Sequence, residues 1–153
     1  MNQFSNSIYF GLEQEIAKFR SFQAASSAFG RMQLVGPDII KFVPQNKSEK
    51  KLKLGLLALV HGNEILGLPI VNTLMQALLD GNFVIDYEVI FGLGNLQAAY
   101  ENKRYVLKDL NRCFGLTEIT CYEEKRAREI QDCMLNEVDY LIDLHQTVQS
   151  APG

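Results

Sequence analysis

His61 and His145 are the only histidines in this sequence, and each has a carboxylate close by: Glu64 three residues after the first, Asp143 two residues before the second. Imidazole and carboxylate are the groups from which a catalytic zinc site takes three protein ligands, leaving a fourth position for water. His61-Gly62-Asn63-Glu64 offers two such donors within one short stretch, and Gly62 lets the backbone bend tightly between them. Taken alone, a His-x-x-Glu spacing arises by chance, and an isolated histidine is more often structural than ligating. Together the two motifs use every histidine present. The expectation is a Zn2+ site with His61, Glu64 and His145 as its ligands.

Asp143 fits beside it. Side chains alternate along a strand, so Asp143 and His145 face the same way. A carboxylate there can accept the second ring N–H of a metal-bound histidine and fix its tautomer. His61 is the expected recipient. Following Leu141-Ile142, the carboxylate is costly to bury without such a partner. The plain alternative is a turn or capping aspartate.

A third region is basic. Between positions 101 and 112 lie Lys103, Arg104, Lys108 and Arg112 against Glu101 and Asp109. In a chain of formal charge −3, this local excess suits an anion, because arginine grips carboxylates with a planar fork. Asn111 can both donate and accept beside it. On composition alone, the reading as a solvated loop prevails.

These residues need elements to position them. Leu54–Val60 is a short apolar run, as expected of a strand buried on both faces, and it leads into His61. Residues 65–79 are apolar at helical spacing and end at Asp80-Gly81, a helix stop, with Pro69 in the first turn. Phe83–Phe91 and Tyr140–Leu144 read as two further strands. Thr120 and Glu123 match a capping box that opens a helix with Ala127, Ile130, Met134 and Val138 on one face. The alternation predicts an α/β fold with a mostly parallel or mixed sheet covered by helices. Ligands in such sheets gather beyond the carboxyl ends of strands, where both histidines fall.

Before this core, Tyr9, Leu12, Ile16 and Phe19 predict an amphipathic helix, and residues 24–45 predict short strands punctuated by Gly30 and Gly36-Pro37. The polar run Asn46–Lys51 predicts a loop. It divides an N-terminal portion of uncertain role (1–50) from a metal-binding domain (51–153). Gly92-Leu93-Gly94 after a strand resembles the start of a dinucleotide fingerprint, but Gln97 stands where a third glycine belongs.

The acidic balance gives no reason to expect a nucleic acid partner. No apolar run approaches the roughly 20 residues of a membrane helix. The N-terminus lacks a basic start and an apolar stretch. Cys113, Cys121 and Cys133 are odd in number and form no C-x-x-C pair, which predicts reduced structural thiols and a cytoplasmic location.

The motifs His61-Gly62-Asn63-Glu64, Arg104-Tyr105 with Asp109-Leu110-Asn111-Arg112-Cys113-Phe114, and Asp143-Leu144-His145 occur in an order that resembles the succinylglutamate desuccinylase/aspartoacylase family, relatives of the zinc carboxypeptidases. The resemblance spans about Leu54 to Thr147. It implies a zinc carboxypeptidase-like fold and hydrolysis, by zinc-activated water, of the amide of a small anionic N-acyl amino acid. It further implies that Asn111 and Arg112 bind the amino acid carboxylate and that Arg104 polarises the scissile carbonyl and stabilises the oxyanion. The family's general-base glutamate and a small β-rich domain lie beyond the Asp-Leu-His motif, and no glutamate here matches that base. The chain therefore reads as a partial form, weak or inactive in turnover, with a sheet edge open to homo-oligomer formation. A carboxypeptidase-type peptidase and a zinc-binding module without catalysis are the alternatives.

Overall fold

A computed structural model describes residues 3–46, 49 and 52–146, with the side chains of the first helix described from Gly11 onward. Among the described residues, five strands form one mixed sheet: β1 (Gly30–Gly36), β2 (Ile39–Pro44), β3 (Lys53–Ala58), β4 (Glu88–Leu93) and β5 (Tyr140–Leu144), in the spatial order β1-β2-β4-β3-β5. β1, β2 and β4 pair antiparallel; β4, β3 and β5 run parallel. This is the mixed, helix-covered sheet that the apolar runs predict.

The helices cover two faces. Leu12, Ile16 and Phe19 of α1 (Gln3–Ser21) pack with Leu68, Val71 and Met75 of α2 (Gly67–Asp80) against Leu56, Phe42 and Phe91. Ala127 and Ile130 of α4 (Tyr122–Ile130), with Met134 of the π turn that follows, cover Ile39, Leu57 and Ile90 on the other face. Each such fully buried aliphatic or aromatic side chain contributes roughly 1.5–3 kcal/mol. The short helix α3 (Leu96–Tyr100) follows β4. None of the described helices is long and apolar enough to cross a membrane.

The segment before residue 50 is not set apart: β1 and β2 extend the same sheet, and α1 lies in the same core. The side chain of Tyr9, and residues 47, 48, 50 and 51 of the polar run, lie outside the described residues. Two local expectations need correcting. The strand read from Phe83 begins only at Glu88, because Phe83 and Val84 lie exposed after the left-handed Gly81 that ends α2. The capping carboxylate of α4 is Glu124, whose Oε2 accepts from the backbone N–H groups of Thr120 (2.6 Å) and Cys121 (3.2 Å). Glu123 is instead fully buried.

β3 reaches the site through a strained step. Leu59 holds a left-handed conformation (φ 61°) although it is branched and fully buried, a cost of about 1–3 kcal/mol. The backbone around it offsets this. The Asn95 N–H donates to the Leu59 carbonyl at 2.6 Å, and the Gly94 N–H to that of Ala58 at 2.7 Å. A Cβ on Gly94 would stand 2.6 Å from the Leu59 carbonyl oxygen, so only glycine lets the end of β4 approach so closely.

Candidate metal centre

His61 and Glu64 lie in the turn between β3 and α2, and His145 follows β5, the strand that pairs beside β3. Parallel pairing brings the carboxyl ends of both strands together, so residues 81 apart in sequence meet. Gly62 makes the turn possible for a reason different from the expected one. Its φ is not left-handed; rather, a Cβ there would lie 2.2 Å from the backbone of Ala98 and Ala99 in α3. The turn is therefore pressed flat under α3 and tied by the Gly62 N–H to the Arg104 carbonyl at 3.1 Å.

The two imidazoles converge on one carboxylate. His61 Nδ1 stands 2.9 Å from Glu64 Oε1, and His145 Nδ1 stands 2.9 Å from Oε2. One donor atom from each of the three residues lies within 4.8 Å of the others. Arg104 Nη1 donates to Glu64 Oε1 at 3.1 Å, and the Gln146 N–H donates to Oε2 at 3.0 Å. Burial would raise the Glu64 pKa, but the Gln146 N–H and the two histidines outweigh it and hold the carboxyl below its ordinary value. Burial likewise lowers the His145 pKa, while Glu64 and Asp143 more than offset it.

Each imidazole also has a carboxylate behind it. Asp143 Oδ2 faces His145 Nε2 at 2.6 Å, not His61, which corrects the expected pairing. Alternation along β5 puts both side chains on one face, and the short i, i+2 distance closes the contact before Asp143 can reach across. Burial is the main reason the Asp143 pKa is raised. Behind His61 stands Asp109, its Oδ1 3.3 Å from Nε2. This residue belongs to the Asp-Leu-Asn-Arg motif, yet nothing in its spacing assigned it a role. The available signal was that it is the only acidic residue between Glu101 and Glu118.

The basic stretch is divided. Lys103 pairs with Glu101 at 2.6 Å and Lys108 with Glu124, so neither stands free for an anion. Arg104 lies over Glu64 and reaches within 4.0 Å of Asp109. Asn111 Nδ2 is 3.5 Å from His61 Nε2. Arg112 is exposed and makes no side-chain ion pair among the described residues. Arg104 and Asn111 thus flank the three converging side chains, whereas Lys103 and Lys108 are taken up by Glu101 and Glu124.

The donor set suits zinc. Both Nδ1 atoms face the same carboxylate, and both Nε2 atoms face acceptors that favour the tautomer in which Nδ1 is free to ligate.

A family model described as the succinylglutamate desuccinylase/aspartoacylase catalytic domain matches residues 50–151. A succinylglutamate desuccinylase from Pseudoalteromonas atlantica is 29% identical over 133 residues, covering 78% of this chain and 37% of that protein. A probable aspartoacylase from a Nostoc species is 38% identical over 108 residues, covering 62% of this chain and 36% of that protein. Among solved structures, a succinylglutamate desuccinylase from Chromobacterium violaceum superposes with a TM-score of 0.70 at 19% identity, covering 88% of this chain and 44% of that one. A metallo-carboxypeptidase from Pseudomonas aeruginosa gives 0.59 at 16% identity, over 88% of this chain and 38% of that one. These superpositions show a shared fold. The chain spans less than half the length of the two curated relatives.

Proposed function

The chain belongs to the succinylglutamate desuccinylase/aspartoacylase catalytic-domain family, and on that premise we propose that it forms the metal-binding part of a zinc-dependent amidohydrolase acting on a small anionic N-acyl amino acid. The observation that carries this reading is the convergence of His61 Nδ1 and His145 Nδ1 on the two oxygens of Glu64. His61, Glu64 and His145 hold the metal; Asp109 and Asp143 hold the tautomers of the two histidines. When bound there, zinc supplies Lewis-acid polarisation of an amide carbonyl and makes water more acidic.

The chain's own residues do the rest. Arg112 and Asn111, both exposed, bind the substrate carboxylate. Arg104 is half-exposed and already beside Glu64. Its guanidinium stabilises negative charge as it develops on the carbonyl oxygen. Proton transfer is the weak link. The carboxylates nearest the three ligands, Asp109 and Asp143, each face a histidine Nε2 and are committed to it. A positioned general base adds roughly a hundred- to ten-thousand-fold. Substrate binding with slow turnover is therefore the behaviour proposed for a polypeptide of these 153 residues.

The test is elemental analysis of protein purified without added metal, followed by a coupled assay for amino acid released from N-succinylglutamate and N-acetylaspartate. About one equivalent of zinc is expected, with turnover well below about 1 per second. Protein that neither carries nor takes up zinc would overturn the metal assignment, and turnover at or above that rate would overturn the slow step.

A further inference from the structure

Glu123 is a charged residue with no exposed surface, placed at the start of α4 and outside the three converging side chains. Its Oε1 accepts from three donors: the Val106 N–H at 2.8 Å, the Leu107 N–H at 3.1 Å and Asn95 Nδ2 at 3.2 Å. Carboxylates are rarely buried without strong compensation. Here the compensation comes from a segment, residues 101–109, that has no helix or strand of its own to satisfy its backbone.

Asn95 extends the connection. It too is fully buried; its Oδ1 caps α3 by accepting from the Ala98 N–H at 3.0 Å, and its own N–H donates to Leu59. The same segment is tied at its near end, where the Lys103 N–H donates to the Ala98 carbonyl at 2.9 Å and the Arg104 carbonyl accepts from Gly62. Between that tie and Asp109, Glu123 holds the backbone at Val106 and Leu107, while Glu124 pairs with the Lys108 side chain. Arg104 and Asp109 are the two residues through which this segment touches Glu64 and His61.

We propose that Glu123 is a positioning residue that clamps residues 103–109 against the ends of β3 and β4, and thereby sets Arg104 and Asp109 against the metal ligands. This rests on the metal reading above for its consequence, but not for the clamp itself. A hydrophobic residue of similar size would fill the space and leave the Val106 and Leu107 N–H groups buried without an acceptor.

The test compares Glu123→Ala, Glu123→Gln and the unaltered chain by amide hydrogen exchange and by competitive chelator titration of zinc. In Glu123→Ala, exchange should accelerate about tenfold or more at Val106 and Leu107 and, through the Arg104 carbonyl, at Gly62. Amides of Ile90 and Phe91 in β4 should keep their wild-type rates. Zinc affinity should fall roughly tenfold, as when an outer partner of a ligand is lost. Glu123→Gln keeps an acceptor oxygen and should restore most of both. If Glu123→Ala does not fold, Glu123→Asp serves instead, since it keeps the charge but draws the carboxylate back by one methylene. Unchanged exchange at Val106, Leu107 and Gly62, or equal acceleration at Ile90 and Phe91, would overturn the clamp. If the unaltered chain binds no zinc, the metal reading falls and the exchange rates alone judge the clamp.

Discussion

The two histidines present the same Nδ1 to the same carboxylate, yet the protein holds them in opposite ways. His61 follows β3, which has a neighbour on each side, and it is 3% exposed. Glu64, Asp109 and Asn111 surround its ring, and α3 presses on the glycine beside it. His145 follows β5, the outermost strand of the sheet among the described residues, and its side chain is 36% exposed. Its holders are Glu64 and Asp143, and Asp143 sits on the same strand. Tyr140, Leu141 and Ile142 of that strand are 66%, 42% and 46% exposed. One half of the site is thus fixed by the core, and the other rests on the outermost strand among the described residues.

The largest expected effect would break the comparison outright. If both histidines ligate, their difference in burial should not spare either. His61→Ala and His145→Ala should each weaken zinc binding by more than the roughly 10- to 100-fold typical of outer partners, measured by chelator competition. Zinc affinity left intact in His145→Ala would mean that the exposed half is not part of the metal site.

A smaller effect concerns the edge itself. β1, at the opposite end of the sheet, is blunted by an irregularity between Leu34 and Gly36 and carries an exposed Arg31. β5 pairs with β3 in unbroken register and has no lysine, proline or bulge. Ile142 borders an apolar groove with Leu54, Leu56, Leu74, Leu78 and Phe83. Strands with no second partner, as β5 is among the described residues, recruit other strands. We propose weak self-association through β5, with Ile142→Lys shifting the dimer dissociation constant upward by about tenfold, or about 1.4 kcal/mol. Sedimentation velocity across a range of concentrations checks this. A wild-type chain that stays monomeric at the highest concentration removes the edge from the argument.

The same contrast marks what the sequence made legible. β5 was read to its observed bounds, and β3 nearly so, because a continuous apolar run with a polar stop leaves little choice of face or length. The expected grouping of His61, Glu64 and His145 drew on their residue types and spacing, on two predicted strand ends and on the family motifs, and the three side chains do lie together. What escaped was decided by contacts distant in sequence. Alternation placed Asp143 with His145 but could not say which ring it would meet. Asp109 reaches His61 from a loop with no periodicity. Thr120 and Glu123 fit the capping spacing, yet the helix starts one residue later and takes Glu124, leaving Glu123 for the interior. Leu59 carries no sign of its left-handed turn, since the residue type that usually marks one is glycine.

The smallest effect belongs to the His61 half and is lost in acid. Lys108, whose segment carries Asp109, pairs with Glu124, and the backbone and hydroxyl of Thr120 donate to the same carboxylate. Lys108 first, and then Thr120, push the Glu124 pKa down to about 2 from an ordinary 4.5. A carboxyl whose pKa is lower folded than unfolded binds its proton more readily in the unfolded chain, so it stabilises the fold while ionised. That contribution is complete above about pH 4.5 and is lost as the pH falls towards about 2. Glu124→Gln cannot titrate. Urea midpoints should therefore differ between wild type and Glu124→Gln at pH 6, and the gap should narrow through pH 4 and close near pH 2. Glu123, also held below its ordinary value by the Leu107 and Val106 N–H groups against the effect of burial, titrates in both proteins and cancels from the difference. A gap of constant size across this range would show that Glu124 acts through its shape and not its charge, and the acid-sensitive anchor would no longer distinguish the buried half of the site from the exposed one.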